Sequence, residues 1–427
     1  MKRAPILTLI LVMTLLAIAA CGPAATPTPE AEGEGDQGPI KIGFFAPISS
    51  SSAESARDMR DAFQMFWDEQ GMEVAGRPVE IYYEDDAGDP DTALSKARLL
   101  VEQREVHMLA GLLFAHTGLA VADYVEDVGI PTFYPVVSAD DLTQRTPVDN
   151  LVRIAGWTSS QVHHPFGDWV YENTECRSVY TIASDYAFGH EVVGGFVNTF
   201  TDHGGEVAGQ AWNPIAETDF SSYLATIEAT EPDCVFSLQV GAAAVRLLQA
   251  YADFGLKDEI PFYAGEVQAD QSILRGVEPP EAAVGYISIG HWAEGRESPA
   301  TQEFVEKFDE EFGKLPGYYA PVCYVAADWI YRALEDIDGN VEDQEAFMAA
   351  IRDVEFADSA LGPLSLDEYD NTIQNVYIRE VVQREDGRIW NEVIESIPSV
   401  DQFWNYDAEE FLEQPVYSRE YQGIDWP

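Results

Sequence analysis

Basic residues are scarce in this chain of 427 residues, with 24 Lys and Arg against 75 Asp and Glu. The formal charge of −51 repels nucleic acid and anionic lipid surfaces, so we expect neither as a partner. The acids are spread through short pieces such as EDDAGDPD, VEKFDEEF and DAEEF. This spread predicts a solvated acidic surface, as in salt-adapted proteins, rather than a cation-binding cluster.

Motifs of common enzymes are also missing. The sequence contains no G-x-S-x-G elbow, no Walker A loop and no H-E-x-x-H helix, and the seven histidines are scattered. We therefore expect no metal site, no cofactor and no enzymatic activity. Because catalytic triads depend on geometry rather than chain order, a secreted hydrolase that uses His116 with a carboxylate stays open as a weaker alternative.

Long apolar runs are confined to the start of the chain. Residues 1–20 combine a basic beginning with an apolar run, which is typical of a secretory signal peptide. The residues around Cys21, IAACG, resemble the bacterial lipobox, in which this cysteine is lipidated. Residues 21–38, rich in Pro, Gly, Thr and acids, are then expected to form a flexible tether that holds the folded body outside the cell membrane.

Cysteines are few, and three remain beyond the lipobox: Cys176, Cys234 and Cys323. An extracytoplasmic compartment permits disulfides, but an odd number leaves at least one thiol free. Cys176 and Cys234 each begin a predicted strand in the same half of the chain, so they could be bridged. Three small buried thiols are the alternative.

Alternation between strand-like and helical segments is what the sequence has in abundance. The strand-like segments IKIGFFAPI, VEIYYEDD, VHMLAGLLF and IPTFYPVV are separated by stretches of helical period. After a turn near Gly156 the pattern restarts with SVYTIAS, EVAGQAWNP, CVFSLQV and IPFYAGEV. The sequence thus predicts the α/β class, with two similar units that each contain a parallel sheet covered by helices.

The last third of the chain follows a different pattern. The strand-like AAVGYISIGHW precedes three helical segments, and then NVYIREVVQ and IWNEVIES alternate around a Glu-Asp-Gly turn at residues 385–387. This arrangement predicts a β-hairpin. Beyond Ser399 no period is recognisable.

In open parallel α/β sheets, ligands bind beyond the carboxyl ends of the strands. In the first unit these positions are mostly hydroxyl-bearing, and in the second they are aromatic, amide or acidic. A serine after a strand often caps the next helix and an aromatic ring often packs in the core, so a purely structural role stays open for each. The candidate ligand-binding residues are Ser49, Ser50, Ser51, Phe114, Ala115, His116, Thr117, Tyr134, Ser138, Trp157, Tyr186, Phe188, Gln239, Glu266 and Gln268.

Several stretches resemble the leucine/isoleucine/valine-type solute-binding proteins of bacterial ABC importers: IKIGFFAPIS, VEIYYEDDAGDPDTALSKARLLVEQ, YVEDVGIPTFYPVVSADDLT and SDYAFGHEVVGGF. The resemblance covers about residues 39–396 and implies the type I periplasmic-binding fold, with two Rossmann-like lobes joined by a three-strand hinge. Lobe 1 would comprise residues 39–156 and 291–362, and lobe 2 residues 157–290 and 363–396. Residues 397–427 would form a C-terminal extension.

The resemblance also implies a monomeric receptor that binds a small hydrophobic amino acid or an aromatic carboxylate and delivers it to an ABC permease. In the family's amino-acid binders, Ser138 fits the hydroxyl that holds the α-carboxylate, Glu266 the acid that holds the ammonium, and Phe188 the aromatic cover. Ala115 replaces a usual serine and Val240 a frequent tyrosine, which disfavours a standard α-amino acid. A ligand-sensing ectodomain, and a urea or short-amide ligand, are the alternatives within binding.

Overall fold

The computed structural model describes residues 38–424, so the predicted signal peptide, Cys21 and the tether lie outside the described residues. Within this range two β-sheets alternate with helices, which confirms the predicted α/β class. The strands are β1 (Ile40–Phe45), β2 (Glu73–Val74), β3 (Arg77–Glu84), β4 (Met108–Gly111), β5 (Thr132–Phe133), β6 (Leu151–Val152), β7 (Ser178–Ser184), β8 (Glu206–Asn213), β9 (Cys234–Leu238), β10 (Phe262–Ala264), β11 (Ile287–Gly290), β12 (Leu364–Leu366), β13 (Thr372–Gln383) and β14 (Ile389–Val400).

The helices connect these strands and cover the sheets. Within residues 38–424, none of them combines the length and the apolar character needed to cross a membrane. The α-helices are α1 (Ala53–Glu69), α2 (Pro90–Leu99), α3 (Ala115–Val128), α4 (His164–Asn173), α5 (Ala187–Asp202), α6 (Ser221–Thr230), α7 (Gly241–Asp253), α8 (Gln271–Leu274), α9 (Pro299–Phe312), α10 (Tyr319–Asp336), α11 (Gln344–Asp353) and α12 (Ala408–Leu412).

The first sheet has the strand order β2-β3-β1-β4-β5-β6 and is parallel except for the β2–β3 pair. Helix α1 buries Met59, Ala62, Phe63 and Phe66, which recur at spacings of three and four residues. The Phe63 ring lies 4.5 Å from Phe44 of β1, centroid to centroid. Although α10 follows β11 in the chain, it packs against α1 and so belongs to this first unit.

The second sheet has the order β12-β13-β11-β10-β9-β7-β8, with β14 paired to β13. Strands β7 to β11 are mutually parallel, whereas β13 is antiparallel to its neighbours. The β13–β14 pair is the predicted hairpin, although β14 continues to Val400 and therefore beyond the expected end of lobe 2. Helix α8 packs on α7 and β14, so it belongs to this second unit.

The two sheets meet where the chain passes between them. Arg153, just after β6, forms an isolated parallel bridge with Asn371, and the Gln374 amide donates to the Gly156 carbonyl at 3.1 Å. At the crossing after β11, the buried Arg379 guanidinium donates to the carbonyls of Trp292 and Glu266. Side-chain hydrogen bonds to main-chain oxygens thus hold the crossing segments together. The acceptors are neutral carbonyl groups.

Cys176 and Cys234 form a disulfide, so of the two possibilities that the sequence leaves open the structure has the bridge. It ties the residues just before β7 to the first residue of the neighbouring strand β9. Cys323 lies buried in α10 as a free thiol. Burial in apolar surroundings raises the pKa of the Cys323 thiol well above its usual value, so this cysteine is a small core residue rather than a nucleophile.

The segment after β14 packs along α4 and α5. Its side chains Phe403, Phe411 and Tyr417 form a small aromatic cluster. The Tyr417 hydroxyl lies 3.0 Å from Nε2 of His164, and its ring covers Gly194. A Cβ at Gly194 would lie 2.3 Å from that ring, so the close contact requires glycine there.

Candidate functional site

Three long helices begin at the same small cavity. The residues before the first turns of α3, α5 and α7 are Phe114, Tyr186 and Val240, and none provides a side-chain cap. All three line the cavity. Because the first-turn amides of a helix have no acceptor within the helix, three sets of N–H groups and the positive ends of three helix dipoles converge here. This arrangement favours an anion.

The cavity is small, with a free volume of about 20 Å³, and lies between the two units. Most of its lining is aliphatic or aromatic, and the polar groups are one serine and three tyrosine hydroxyls. Among the described residues that line it, none is Asp, Glu, Lys or Arg. The lining consists of Leu113, Phe114, Ala115, Val136, Ser138, Tyr186, Phe188, Val240, Val267, Tyr318 and Tyr319.

Ser138 lies in the loop after β5, and it is nearly buried. The Arg153 guanidinium donates to the carbonyl of Val137 at 3.0 Å and to that of Ala139 at 2.7 Å. These are the two residues on either side of Ser138. Arg153 therefore holds the loop that presents the Ser138 hydroxyl to the cavity.

The stretch from Phe114 to Thr117 begins helix α3 instead of extending strand β4. The strand ends at Gly111, which has φ +98° and whose Cβ would lie 2.3 Å from the carbonyl oxygen of Phe45. Only glycine fits that approach. The Thr117 hydroxyl donates to the Phe114 carbonyl at 2.8 Å, so it is used within the helix start. Ala115 lies in the cavity wall.

His116 lies outside the cavity lining, and its Nε2 is 3.0 Å from the carbonyl oxygen of Gly88. Its ring stacks on Phe114 at a centroid distance of 5.3 Å. The structure therefore gives His116 a carbonyl partner and an aromatic neighbour, and places no carboxylate at its Nε2 within the described residues.

The rings of Tyr186, Phe188 and Tyr318 form one side of the cavity, and the predicted site residue Trp157 packs against them outside the lining. Centroid distances are 5.9 Å from Tyr186 to Phe188, 5.7 Å from Phe188 to Trp157 and 6.2 Å from Trp157 to Tyr318. Burial, followed by the neighbouring Tyr319, raises the pKa of the Tyr186 phenol well above its usual value. Tyr186 is therefore a neutral hydrogen-bonding group, and no hydrogen bond to its hydroxyl exists within the described residues.

Glu266 is fully buried and already has its partners. One carboxylate oxygen accepts from the His291 amide at 2.9 Å, and the other lies 3.0 Å from Nδ1 of the same histidine. The residue stands in a 3-10 turn, Glu266–Ala269, and is not part of the cavity wall. The predicted ammonium-binding acid is thus turned toward the crossing after β11.

Gln239 and Gln268 form an amide network behind the cavity. The Gln239 side chain accepts from the Ser184 hydroxyl at 2.9 Å and exchanges hydrogen bonds with Asn213. The Gln268 side-chain oxygen accepts from the backbone amide of Gln239 at 3.0 Å. Both glutamines are buried outside the lining, where they hold the ends of β7, β8 and β9 together.

The remaining candidates also lie outside the lining. The Ser50 hydroxyl accepts from the Ser52 amide at 3.0 Å, Ser49 is exposed, and the carbonyl of Ser51 faces Gly241 at the start of α7. The buried Tyr134 hydroxyl donates to a carbonyl of α3. These residues therefore shape the loops around the site. No metal-binding group of three or more His, Cys, Asp or Glu occurs within residues 38–424.

Sequence reasoning missed Tyr318 and Tyr319, and also three apolar lining residues. The two tyrosines stand at the start of α10, far along the chain from the two predicted strand-end clusters. No strand-end pattern marks them, and the Tyr pair that follows Gly317 and opens α10 is the one local signal in the sequence. Val136, Val267 and Leu113 complete the apolar wall.

A family model described as "Periplasmic binding protein" matches residues 39–388. The chain belongs to this family. A Leu/Ile/Val-binding protein homolog from Brucella melitensis is 28% identical over 363 residues, which cover 84% of this chain and 91% of the relative. An ABC transporter substrate-binding protein from Sphaerobacter thermophilus superposes with a TM-score of 0.80 at 33% identity, covering 85% of this chain and 99% of that one.

A third similar protein is a solute-binding protein of an ABC transporter from Rhodopseudomonas palustris BisB5, solved in complex with 3,4-dihydroxybenzoic acid. It has a TM-score of 0.80 and 27% identity, and the match covers 85% of this chain and 98% of that one. This periplasmic binding protein is therefore a substrate-binding component of the ABC transporter type. The family is one of transport proteins that bind their substrates, and it implies an extracytoplasmic location.

Proposed function

We propose that this periplasmic binding protein captures a small aromatic carboxylate without an amino group and delivers it to an ABC permease. One observation carries the proposal. Its cavity combines apolar and aromatic walls with the Ser138 hydroxyl and three uncapped helix N-termini, and contains no acidic side chain among its described lining residues.

The carboxylate would bind where the N-terminus of α3 meets Ser138. The first amides of the helix, those of Ala115 and His116, have no acceptor within the described residues. Each charge-assisted hydrogen bond to such a carboxylate contributes about 1.5 to 3 kcal/mol. These amides can replace the serine hydroxyl that the family's amino-acid binders have at position 115. The aromatic body would then lie against Phe188 and Tyr318.

An ammonium group would find no carboxylate partner among the described lining residues of the same cavity. A buried cation is stable only when it is paired and hydrogen-bonded. Glu266, the candidate partner, has both carboxylate oxygens engaged by His291 and stands outside the lining. This favours an aromatic carboxylate over a hydrophobic amino acid. The dihydroxybenzoate complex of the Rhodopseudomonas palustris neighbour supports the same class of solute.

The capture cycle requires no covalent step. Residues from both units line the cavity, so a solute bound by one lobe stabilises the closed arrangement through the second lobe's contacts. The lobes would be those predicted from the sequence, with boundaries at the three crossings. A lipid anchor at Cys21 would hold the monomeric receptor near its permease.

A thermal-shift panel tests the class of solute. Benzoate and 4-hydroxybenzoate are expected to raise the melting temperature, because a ligand present at about 100 times its Kd stabilises the folded state by about 2.7 kcal/mol. Leucine and phenylalanine, which carry an ammonium, and benzamide, which lacks the charge, are expected to have no effect. Stabilisation by the amino acids alone would exclude the proposal.

Ser138→Ala tests the carboxylate position. The variant is expected to bind benzoate about tenfold or more weakly, because it loses one charge-assisted hydrogen bond, and to keep the ligand-free melting temperature. Ser49→Ala is the matched control, since Ser49 is exposed outside the cavity and its loss should leave the Kd unchanged. Isothermal titration calorimetry gives both values. Equal affinities in the two variants would remove Ser138 from the site.

A further inference from the structure

A file of three buried oxygen-bearing side chains leads from the cavity into the protein. The Ser159 Oγ lies 3.1 Å from the Ser138 Oγ and 2.6 Å from a carboxyl oxygen of Glu191. It also lies 2.7 Å from the Ser138 carbonyl oxygen. Ser138 stands in the loop after β5, Ser159 in the first crossing and Glu191 on α5. The file therefore joins the proposed carboxylate site to the second unit.

The direction of the hydrogen bonds along this file depends on Glu191. Each hydroxyl has one proton to donate, and an ionised carboxylate can only accept. If Glu191 is ionised, Ser159 donates to it, and a free lone pair of Ser159 accepts the proton of Ser138. The Ser138 carbonyl oxygen can only accept, so its 2.7 Å contact takes the single proton of Ser159, and the 2.6 Å contact with Glu191 then requires a proton on Glu191. In this second case the Glu191 proton fills a lone pair of Ser159 that could otherwise take the proton of Ser138, which stays available to the cavity.

We propose that Glu191 is a protonated positioning residue whose hydrogen bond through Ser159 orients the Ser138 hydroxyl toward the solute carboxylate. The inference rests on the proposed function, because it requires an anionic solute at Ser138. Glu191 does not line the cavity and touches no solute itself.

The charges around Glu191 favour the protonated form. The groups that face it are Asp140 and Asp141 of the 3-10 turn Asp140–Leu142, Arg153 after β6 and Tyr186 before α5. Burial, and then the Asp140 charge, raise the pKa of Glu191 well above its usual value, against smaller opposing effects of the Ser159 hydroxyl and the Asp140 amide.

Arg153 does not offset these acids by direct pairing. Its guanidinium donates to the carbonyls of Val137 and Ala139 and to the side-chain oxygen of Asn371, all of which are neutral acceptors. Asp140 instead accepts from the Ser160 amide at 3.1 Å. The buried Arg153 cation therefore faces two buried acids, Asp140 and Glu191, at the first crossing. Glu191 has only the Ser159 hydroxyl as a side-chain partner, so it is the acid that holds the proton.

Two variants of Glu191 test the proposal by their affinity for benzoate at neutral pH. Glu191→Gln keeps a donor for Ser159, so its Kd should stay within about threefold of the parent protein. Glu191→Met fills a similar volume without a donor, so the lone pair of Ser159 takes the Ser138 proton and the Kd should rise about tenfold or more. Ser159→Ala removes the middle of the file and should weaken binding similarly, which provides a second variant should the methionine variant not fold.

Infrared difference spectroscopy gives a readout that a merely structural role would not change. The ligand-free parent protein should show the carbonyl band of a protonated carboxyl group that is absent from Glu191→Gln. Asp367→Asn is the control, because Asp367 is a half-buried acid near Arg153 that accepts from the amides of Tyr369 and Asn371 and not from Ser159. Its benzoate affinity should stay unchanged.

The outcomes separate this proposal from the proposed function. Any of three results would overturn the proposed role of Glu191. They are a Glu191→Met protein that binds benzoate as the parent does, a Glu191→Gln protein that binds it about tenfold more tightly, and a missing carboxyl band. If the parent protein binds neither benzoate nor 4-hydroxybenzoate, the proposed function fails instead. The infrared measurement needs no solute and still decides the protonation of Glu191.

Discussion

Arg275→Met is expected to weaken solute binding about thirtyfold, although Arg275 does not line the cavity. Arg275 follows α8 in the second unit, and its guanidinium reaches the first unit. It donates to the Asp58 carboxylate of α1 at 2.9 Å and to the Leu315 carbonyl at 2.8 Å. Opening the cleft would separate both pairs.

The magnitude follows from the burial of this contact. The Asp58 side chain is 0% exposed and that of Arg275 is 23% exposed, so solvent screens the pair weakly. A hydrogen bond to a charged group contributes about 1.5 to 3 kcal/mol, and a loss of about 2 kcal/mol changes the closed population about thirtyfold. Because the solute needs the closed state, the apparent Kd rises by the same factor. Lys314 keeps Asp58 paired within the first unit.

Calorimetry with benzoate on Arg275→Met and Arg246→Met checks this prediction. Arg246 is exposed on α7, also in the second unit, and has no described partner, so its variant removes the same charge without breaking a contact. The control should bind as the parent does. In small-angle X-ray scattering, the Arg275→Met protein should need about thirtyfold more benzoate than the parent to reach the smaller radius of gyration of the closed state. Equal affinities of the two variants would contradict a role for Arg275 in closure.

The protein is expected to be most stable near about pH 5 and less stable at about pH 8. Burial raises the pKa of Asp86 and of Glu294 to about 7, and that of Asp140 and of Asp367 to about 6. An acid whose pKa is raised in the folded state binds its proton more tightly there than in the unfolded chain. Its stabilising effect is present at low pH and is lost as the pH rises through about 4 to 7.

Asp86 shows the size of the effect. This carboxyl is fully buried, and no cation pairs with it within the described residues. A shift from 3.8 to about 7 corresponds to about 4 kcal/mol of stability between acidic and neutral solution. The net charge of −51 adds self-repulsion that acidification also relieves.

Two buried histidines limit the gain in stability that the acids provide at lower pH. Burial lowers the pKa of His163 to about 4 and that of His164 to about 3. Below about pH 6.5 the unfolded chain takes up these protons and the folded one does not, so both groups destabilise the fold on acidification. The acids outnumber them, which places the maximum near about pH 5.

Urea unfolding at about pH 5 and about pH 8 measures this difference, and Asp86→Asn isolates one contribution. The variant should gain stability over the parent at the higher pH, because it removes a buried unpaired charge, and should match the parent at the lower one. A free energy of unfolding that is equal at both pH values, or greater at the higher one, would contradict the prediction.

Local patterns predicted the fold better than the site. The strand and helix alternation, the hairpin around residues 385–387 and the Cys176–Cys234 bridge depend on neighbouring residues or on two adjacent strands, and the structure has all three. The apolar pattern did not show that β4 ends at Gly111. Leu112, Leu113 and Phe114 continue the apolar run, although the backbone turns there.

The site was harder to predict because it depends on which partner each side chain finds in space. Glu266 stands at a strand end as expected, but its carboxylate faces His291, which follows the next strand. The Gln268 side-chain oxygen accepts from the backbone amide of Gln239, and the Thr117 hydroxyl donates to the Phe114 carbonyl at the start of its own helix. Tyr318 enters the cavity from a helix that no strand-end rule identifies.

The ring of Tyr417 on Gly194 links two positions that are more than 200 residues apart in the chain. The family match ends at residue 388, so relatives need not share the segment that carries this tyrosine. A lineage that lost the segment would be free to accept any small or large residue at position 194. A lineage that keeps it must retain glycine there, so the two positions should covary during the evolution of this branch.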